Sequence, residues 1–279
     1  MDRGERMSVK LVTNEKVAET SSKGNQEKWK DGSKWYKLDQ FGYEALAETI
    51  VSMLLEKSNI ETETPFTFVR YNLDRVNVHR FDRTVCVSND FLKKGQSIIT
   101  VAKLFSKFNP NSFKNELERL NSDKKRIQYL VDKTREYTGL LDFDKYVTLL
   151  FEIDSLFLND DRHLNNIAVL EQNGKYDYCP IFDNGAALLS NIRTLPMDIE
   201  PKGLMKNLLA RPFNMTFNRE LKTVRSLYGA VLKLPKLTKN EIAEITNPYL
   251  EFYPQRDRAI IKDRVVQCIT ERQKLIRLR

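Results

Sequence analysis

The pattern of hydrophobic positions changes at about residue 90 of the chain. Short β-branched or aromatic runs predict strands before that point, at residues 9–12, 34–38, 64–69 and 84–88. One amphipathic helix is predicted among them, over residues 41–59. Helical spacing predicts the later elements, over residues 111–120, 123–138, 143–158, 218–233 and 255–279. The helix over 143–158 has the clearest apolar stripe and should lie in the core, whereas the basic last helix should lie outside.

A hairpin interrupts this helical half. Apolar or alternating runs over residues 167–170 and 176–181 flank Asn173-Gly174, a pair typical of a two-residue turn. Asp161 and Asn166 precede the hairpin, and Asp183 follows it. The hairpin would therefore bring these three side chains together at its open end, the mouth of a candidate site.

Those three side chains are the set that phosphoryl transfer requires. One carboxylate orients the attacking hydroxyl, and an amide and a second carboxylate hold magnesium against the phosphates. A single Asp or Asn in a loop is more often a turn or capping residue. The joint occurrence of all three around one hairpin favours the catalytic interpretation.

Composition narrows the class of protein. Of the 279 residues, 41% are hydrophobic, which suffices for a core of one large domain or of two lobes. No apolar run is long enough for a membrane span, and the charged residues 1–6 do not start a secretory signal. Three widely spaced cysteines argue against disulfides, so we expect a cytoplasmic location, with specialised secretion left open.

The net charge of +8 bears on partners. Basic residues alternate with acidic ones rather than forming one run. A solvated surface and a site for an anionic nucleotide account for this better than direct binding of nucleic acid.

The motif also carries a family resemblance. Asp161-Arg162-His163-x-x-Asn166 followed by Asp183-x-Gly185 resembles the catalytic and metal loops of the phosphoinositide-kinase-like superfamily, and within it the HipA-type serine/threonine kinases. The sequence of residues 179–185 is similar to that found in short, stand-alone HipA-like kinases. The resemblance implies an α+β, bilobal protein-kinase-like fold. A small mixed β/α N-lobe would span residues 1–90, and a larger, mostly α-helical C-lobe would span residues 91–279.

The resemblance implies roles for individual residues. Asp161 would orient the hydroxyl and accept its proton, and His163 would add a polar contact near the transferred group. Asn166 and Asp183 would hold Mg²⁺.

Lysines at strand ends usually face solvent. In a kinase, however, the strand at this point carries the lysine that binds the ATP phosphates. We assign this role to Lys37 rather than Lys34. A glutamate on the following helix would orient this lysine, although helix glutamates usually lie on the surface. Glu44 is the expected partner, and Glu48 is the alternative.

The residues around the nucleotide follow from the same resemblance. Residues 20–28 form a polar loop that is by itself a weak signal, since such a cluster is usually a turn. It resembles the phosphate-binding loop of HipA-type kinases, and the hinge at residues 87–90 would contact adenine. The expected nucleotide contacts in these two segments are Ser22, Lys23, Gly24, Asn25, Gln26, Lys28, Ser88 and Asn89.

The sequence thus predicts an ATP-dependent serine/threonine protein kinase, with two alternatives. A lipid or small-molecule kinase is one alternative, because phosphoinositide kinases have the same sequence Asp161-Arg162-His163. The absence of a basic, membrane-facing cluster next to Gly185 argues against it. A catalytically silent nucleotide-binding adaptor would require a broken magnesium or base position, and none is broken. The partner would be a protein with an acceptor Ser or Thr. HipA-type toxins carry a further domain before this loop, and about twenty residues precede it here, so an antitoxin partner is left open.

Autophosphorylation is the first testable expectation. HipA-type kinases modify a serine three residues before the loop glycine, which corresponds to Ser21, with Ser22 as the alternative. A phosphate there adds about −1.5 to −2 charges beside the nucleotide phosphates and should inactivate the enzyme. Mass spectrometry after incubation with Mg-ATP should find it, with Asp161→Asn as the control. An enzyme that labels an acceptor but neither serine would contradict this form of regulation.

Overall fold

The structure is a computed structural model that describes residues 11–12, 26–78, 80–108 and 113–275. Of the predicted phosphate loop, Gln26 and Lys28 are described. The remaining predicted residues of that loop lie outside the described residues, namely Ser21, Ser22, Lys23, Gly24 and Asn25.

Strands and helices alternate in the first third of the chain, and helices dominate the remainder. The strands are β1 (Leu11–Val12), β2 (Lys28–Asp31), β3 (Lys34–Leu38), β4 (Asn72–Val78), β5 (Phe81–Asn89), β6 (Ser97–Thr100), β7 (Ala168–Gln172), β8 (Lys175–Tyr178), β9 (Leu209–Ala210) and β10 (Met215–Thr216). The helices are α1 (Glu44–Leu55), α2 (Ile60–Glu63), α3 (Val101–Phe108), α4 (Phe113–Arg119), α5 (Asp123–Thr138), α6 (Phe143–Phe157), α7 (Pro201–Asn207), α8 (Phe217–Tyr228), α9 (Lys239–Thr246) and α10 (Gln255–Leu275), with a 3₁₀ turn over Asn247–Phe252.

A five-stranded sheet is built from the strands between residues 11 and 89, in the order β1-β4-β5-β3-β2. The predicted strands at 34–38 and 84–88 are confirmed as β3 and part of β5. Lys37 of β3 stands opposite Lys28 of β2 and Cys86 of β5. The pairing therefore places both lysines side by side on the sheet.

The predicted strand at residues 64–69 is wrong. The sheet strand is β4, whereas residues 64–69 form no strand and contribute an isolated parallel bridge from Phe68 to Ile181. Their alternating aromatics pack elsewhere: Phe66 makes edge contacts with the rings of Tyr146 and Tyr178 in the main core. An extended segment on a core has the same alternation as a strand, so periodicity alone could not separate the two.

Helix α1 lies under the sheet and confirms the predicted helix with shorter ends. Eleven of its twelve residues are buried, as expected for a helix covered on all sides. Glu44 and Glu48 are among them. Their burial excludes the alternative of ordinary surface glutamates.

The predicted core helix is confirmed as α6. Every residue from Tyr146 to Phe157 is buried, and α5, α8 and α10 pack around it. Helix α5 matches its predicted bounds, because Ser122 caps its first turn and Gly139, at φ 74°, ends it. Among the described residues, none of the helices combines the length and apolar character needed to cross a bilayer.

Helix α10 differs from the expected solvated outer helix. One apolar face, which includes Ile261 and Val265, is buried, but so are Arg264 and Arg272. Arg264 donates to the carbonyl oxygens of Leu189 (3.2 Å) and Leu195 (2.9 Å). Buried carbonyls outside regular structure need donors, and the long arginine side chains supply them.

The predicted hairpin is confirmed as β7 and β8. Asn173 and Gly174 form its turn with φ values of 53° and 78°, as a tight two-residue hairpin turn requires. The unpredicted strand β6 pairs with the other edge of β7. This small sheet supports the segments that flank Asp161 and Asp183.

The irregular segment over residues 186–200 docks on the chain just before α1. Gly42 and Asn191 form a β-bridge, and Tyr43 N–H donates to Ser190 O over 3.2 Å. A Cβ atom on Gly42 would lie 2.0 Å from that same Ser190 oxygen. The approach of the two backbones therefore requires glycine.

Replacing Gly42 by Ala should lower the free energy of unfolding by about 1–3 kcal/mol, because backbone must move to admit the methyl group. Urea unfolding followed by circular dichroism measures this. Gly203→Ala in α7 is the matched control, since its Cβ would meet nothing within 4 Å. That control should keep or gain up to about 1 kcal/mol from helix propensity. Equal stability of Gly42→Ala and the wild type would contradict the docking.

Candidate active site

The Asp161 loop, defined as residues 159–167, joins the end of α6 to β7. Leu158, the residue after helix α6, has a left-handed conformation with φ 60°. His163 N–H then donates to Asp161 O, and Asn166 N–H donates to His163 O, both over 2.7 Å. Two consecutive tight turns therefore present Asp161, His163 and Asn166 from one short loop.

Arg162 is buried beneath this loop and connects it to two other segments. Its Nε and Nη2 donate to the carboxylate of Asp154 in α6, over 2.9–3.2 Å. Its Nη1 donates to the backbone oxygens of Asn166 (3.1 Å) and Phe182 (2.7 Å). Nη2 also reaches Asn184 Oδ1 over 2.7 Å. One guanidinium thus positions the residues on either side of Asp183 relative to Asn166.

Sequence reasoning assigned no role to Arg162 or to its partner Asp154. Asp154 also accepts from Asn159 Nδ2 over 2.9 Å. Burial raises the pKa of Asp154, and the charge of Arg162 opposes that rise. Two carboxylates, Glu152 and Asp154, inside the mainly apolar second half of α6 were the available signal, because buried charges require partners.

The Asp183 loop, defined as residues 179–185, follows β8. Ile181 exchanges backbone hydrogen bonds with Thr67 (2.8 Å) and Val69 (2.9 Å), which fixes the approach to Asp183. Asp183 itself has a left-handed backbone with φ 64°. Its Oδ1 accepts from Lys37 Nζ over 2.7 Å. Burial would raise the pKa of Asp183, but the cations Lys37, Lys28 and Arg162 together hold it at about 2.

The expected pairing of Lys37 with Glu44 is wrong. Lys37 Nζ donates to Glu48 Oε1 over 2.6 Å, so the alternative glutamate is the partner. Glu44 instead accepts from Phe41 N–H over 2.7 Å at the start of α1. Glu44, the first residue of α1, thus turns back to the backbone just before the helix, and Glu48, one turn later, reaches the sheet.

Lys37 has a high pKa in spite of its burial. Burial by itself lowers the pKa of a lysine, but the carboxylates of Asp183 and Glu48 raise it well above the usual value. Glu48 Oε2 accepts from Asn184 N–H over 2.8 Å. Lys37 is therefore a permanent cation that joins the sheet, α1 and the Asp183 loop.

The structure brings Asp161, Asn166 and Asp183 together, as the hairpin predicted. Asn166 Nδ2 donates to Asp161 O over 2.9 Å, which leaves its Oδ1 atom as a possible metal ligand. The Asp161 carboxylate is 53% exposed and its Oδ2 lies 3.7 Å from His163 Nε2. Burial raises the pKa of Asp161, with His163 opposing and Asp183 adding to the rise.

The remaining predicted nucleotide contacts that the structure describes lie against β3 or at the end of β5. Lys28 lies beside Lys37, and burial lowers its pKa while Asp183 opposes this. Gln26 Nε2 donates to Leu38 O over 2.8 Å, which holds the chain against β3. Ser88 and Asn89 stand at the end of β5, opposite Trp35 and Lys34. Whether they contact adenine stays a prediction.

Two charged residues near Asp161 were not predicted. Burial raises the pKa of Asp160 to about 6, with the Asp161 charge adding to the rise and Arg211 opposing it. Arg211 follows β9 and lowers the pKa of Asp161 as well. The segment around Arg211 therefore borders the exposed side of the Asp161 loop.

Comparison with solved structures identifies the fold. The chain resembles CtkA, a proinflammatory kinase of Helicobacter pylori, with a TM-score of 0.54 and 15% sequence identity over 92% of this chain and 89% of that chain. HipA of Shewanella oneidensis MR-1, from a complex with HipB and operator DNA, gives a TM-score of 0.46 and 13% identity over 96% of this chain and 66% of that chain. Protein-family models and the curated proteins gave no match. The likeness to CtkA shows a kinase-like fold, which confirms the expected fold class.

Replacing Arg162 by Met should lower the free energy of unfolding by about 3–5 kcal/mol, because Asp154 would remain buried without its partner. Chemical denaturation of both proteins measures the difference. The double variant Arg162→Met/Asp154→Leu is the control and should recover part of the loss, since no buried charge is then uncompensated. A single variant as stable as the wild type would show that this pair does not hold the loops.

Proposed function

We propose that this protein is an ATP-dependent kinase that transfers a phosphoryl group to a serine or threonine of a protein. The observation that carries the proposal is Lys37, which contacts Glu48 and Asp183 at 2.6 and 2.7 Å beside the Asp161 loop. Phosphoryl transfer depends on positioning and on charge stabilisation more than on covalent chemistry. A lysine held by two carboxylates, next to an exposed carboxylate and an amide, supplies those functions.

The nucleotide would lie between the sheet and the Asp161 loop. Lys37 and Lys28 would bind its phosphates, the loop over residues 20–28 would cover them, and Ser88 and Asn89 would contact adenine. The lobes would span residues 1–90 and 91–279.

The donor set suits magnesium. Asp183 Oδ2 and Asn166 Oδ1 are hard oxygen ligands, and Mg²⁺ in kinases is commonly held by one or two such groups together with substrate phosphates. When bound, the ion neutralises charge that develops on the transferred group. Arg162 fixes the two ligands relative to each other, because one of its nitrogens binds the backbone of both loops.

Asp161 would act on the acceptor. Its exposed carboxylate can hydrogen-bond an incoming hydroxyl and take its proton, and its raised pKa brings its basicity closer to the working pH. His163, 3.7 Å from that carboxylate, would add a polar contact beside the acceptor. An antitoxin partner stays a prediction from the resemblance alone.

The matched variants Asp161→Asn and Asp183→Asn test the proposal. Asp161→Asn should bind Mg-ATP normally and transfer phosphate roughly 10²–10⁴-fold more slowly, the usual contribution of acid–base positioning. Asp183→Asn should raise the Kd for Mg-ATP about tenfold or more, because a charged metal ligand is lost. Calorimetry measures binding, and radiolabelled ATP with casein as acceptor measures transfer.

Asp132→Asn on the exposed face of α5 is the control and should match the wild type in both assays. Vesicles of phosphatidylinositol form a second acceptor arm. Labelling of lipid without labelling of protein would replace the proposal by a lipid kinase. ATP binding without transfer to either acceptor or to the chain itself would identify a nucleotide-binding adaptor.

A further inference from the structure

A cationic cavity of about 450 Å³ lies where α7, the start of α8 and the end of α10 meet, and no residue of the Asp161 loop lines it. Four of its lining side chains are cationic and one is acidic. They are Lys202, Lys206, Arg272 and Lys274, and Glu271. The volume is in the range of protein sites for small ligands or side chains.

Arg272 is the unusual member of this cavity. Its side chain is 7% exposed, yet its partners are neutral: Ser155 O (2.6 Å), Ser155 Oγ (2.6 Å) and Asn218 Oδ1 (2.8 Å). Within the described ranges, no carboxylate pairs with it. Burial lowers the pKa of Arg272 to about 10. A buried charge is costly without a counter-charge, so the wall of the cavity holds a cation that an anion would stabilise.

The other charges do not neutralise Arg272. Glu271 is paired with Lys274 over 2.7 Å, and the charge of Lys202 also lowers the pKa of Glu271. One carboxylate thus faces four cations in the cavity wall, where Lys202 and Lys206 are exposed. Phe217 and Asn218 of the first turn of α8 also line the cavity. The partial positive charge at the start of this twelve-residue helix adds to the same field.

The cavity is close to the place where an acceptor chain would lie. Leu208 lines the cavity, and Arg211 beside Asp160 and Asp161 follows it by three residues. Three extended residues span at most about 11 Å. A polypeptide that offers its hydroxyl to Asp161 could therefore place a side chain three to five residues away in the cavity, at about 3.3 Å per residue.

We propose that this cavity binds a phosphorylated side chain of the acceptor polypeptide, so that the enzyme prefers acceptors that already carry a phosphate a few residues from the target hydroxyl. The inference rests on the proposed kinase function. A guanidinium with neighbouring lysines is the arrangement that proteins use for phosphorylated residues. The excess of positive charge matches a phosphate of about −1.5 to −2 charges better than a single carboxylate.

Paired peptides test the proposal. Each has a central serine and, at one position within five residues of it, either phosphothreonine or threonine, with a fluorescent label. Anisotropy without ATP should show at least about tenfold tighter binding of one or more phosphorylated peptides, a difference of about 1.4 kcal/mol. With ATP, the same peptides should have a lower KM for transfer to the central serine.

Lys202→Ala/Lys206→Ala should abolish the preference, because both lysines are exposed in the cavity wall and neither supports the core. Lys175→Ala/Lys236→Ala removes two exposed lysines outside the cavity and is the control that should keep it. Melting temperatures of both double variants should match the wild type.

Each result bears on one claim. Equal binding of phosphorylated and plain peptides, or a preference that survives in Lys202→Ala/Lys206→Ala, overturns the cavity as a phosphate site. Binding of vesicles that contain phosphoinositides, without binding of the peptides, also overturns it. A preference in binding, with no transfer to any peptide or protein, contradicts the proposed kinase function and leaves the phosphate site standing.

Discussion

The buried guanidinium of Arg162 is the contact on which the candidate site depends. It binds α6 through Asp154 and both functional loops through the backbone of Asn166 and Phe182. A buried charge is tolerated only where a counter-charge and hydrogen bonds replace water, and Arg162 has both. Because one side chain holds all three segments, the spacing between Asn166 and Asp183 is set inside the protein core. The exposed Asp161 carboxylate then stands on a rigid base, which the proposed positioning of an acceptor would require.

Two further buried arginines extend the same principle to the end of the chain. Arg264 of α10 donates to carbonyls of the segment that follows the Asp183 loop, and Arg272 donates to the end of α6. Irregular backbone next to a site exposes carbonyls that neither helix nor sheet can satisfy. Helix α10 therefore supports the irregular segment that follows the Asp183 loop. Arg272, which has no carboxylate partner among the described residues, also gives that region its cationic cavity.

Features that depend on neighbours in sequence were predictable. The turn at Asn173-Gly174 needs two residues with positive φ, and helix α5 is limited by Ser122 and Gly139, so local chemistry defines both. The apolar stripe of α6 identified the core helix. The spacing of Asp161, Asn166 and Asp183 around that hairpin identified the mouth of the site, because a hairpin brings its two ends together.

By itself, the sequence determined the elements with strong local patterns and the residues that could perform phosphoryl transfer. The tertiary structure decided which of several equivalent residues make contact. Glu44 and Glu48 share a helix face, four residues apart, and the rotation of α1 against β3 places Glu48 at Lys37. Residues 64–69 alternate like a strand but pack on the core instead. The burial of Arg162, Arg264 and Arg272 depends on partners 8 to 117 positions away, which no local period records.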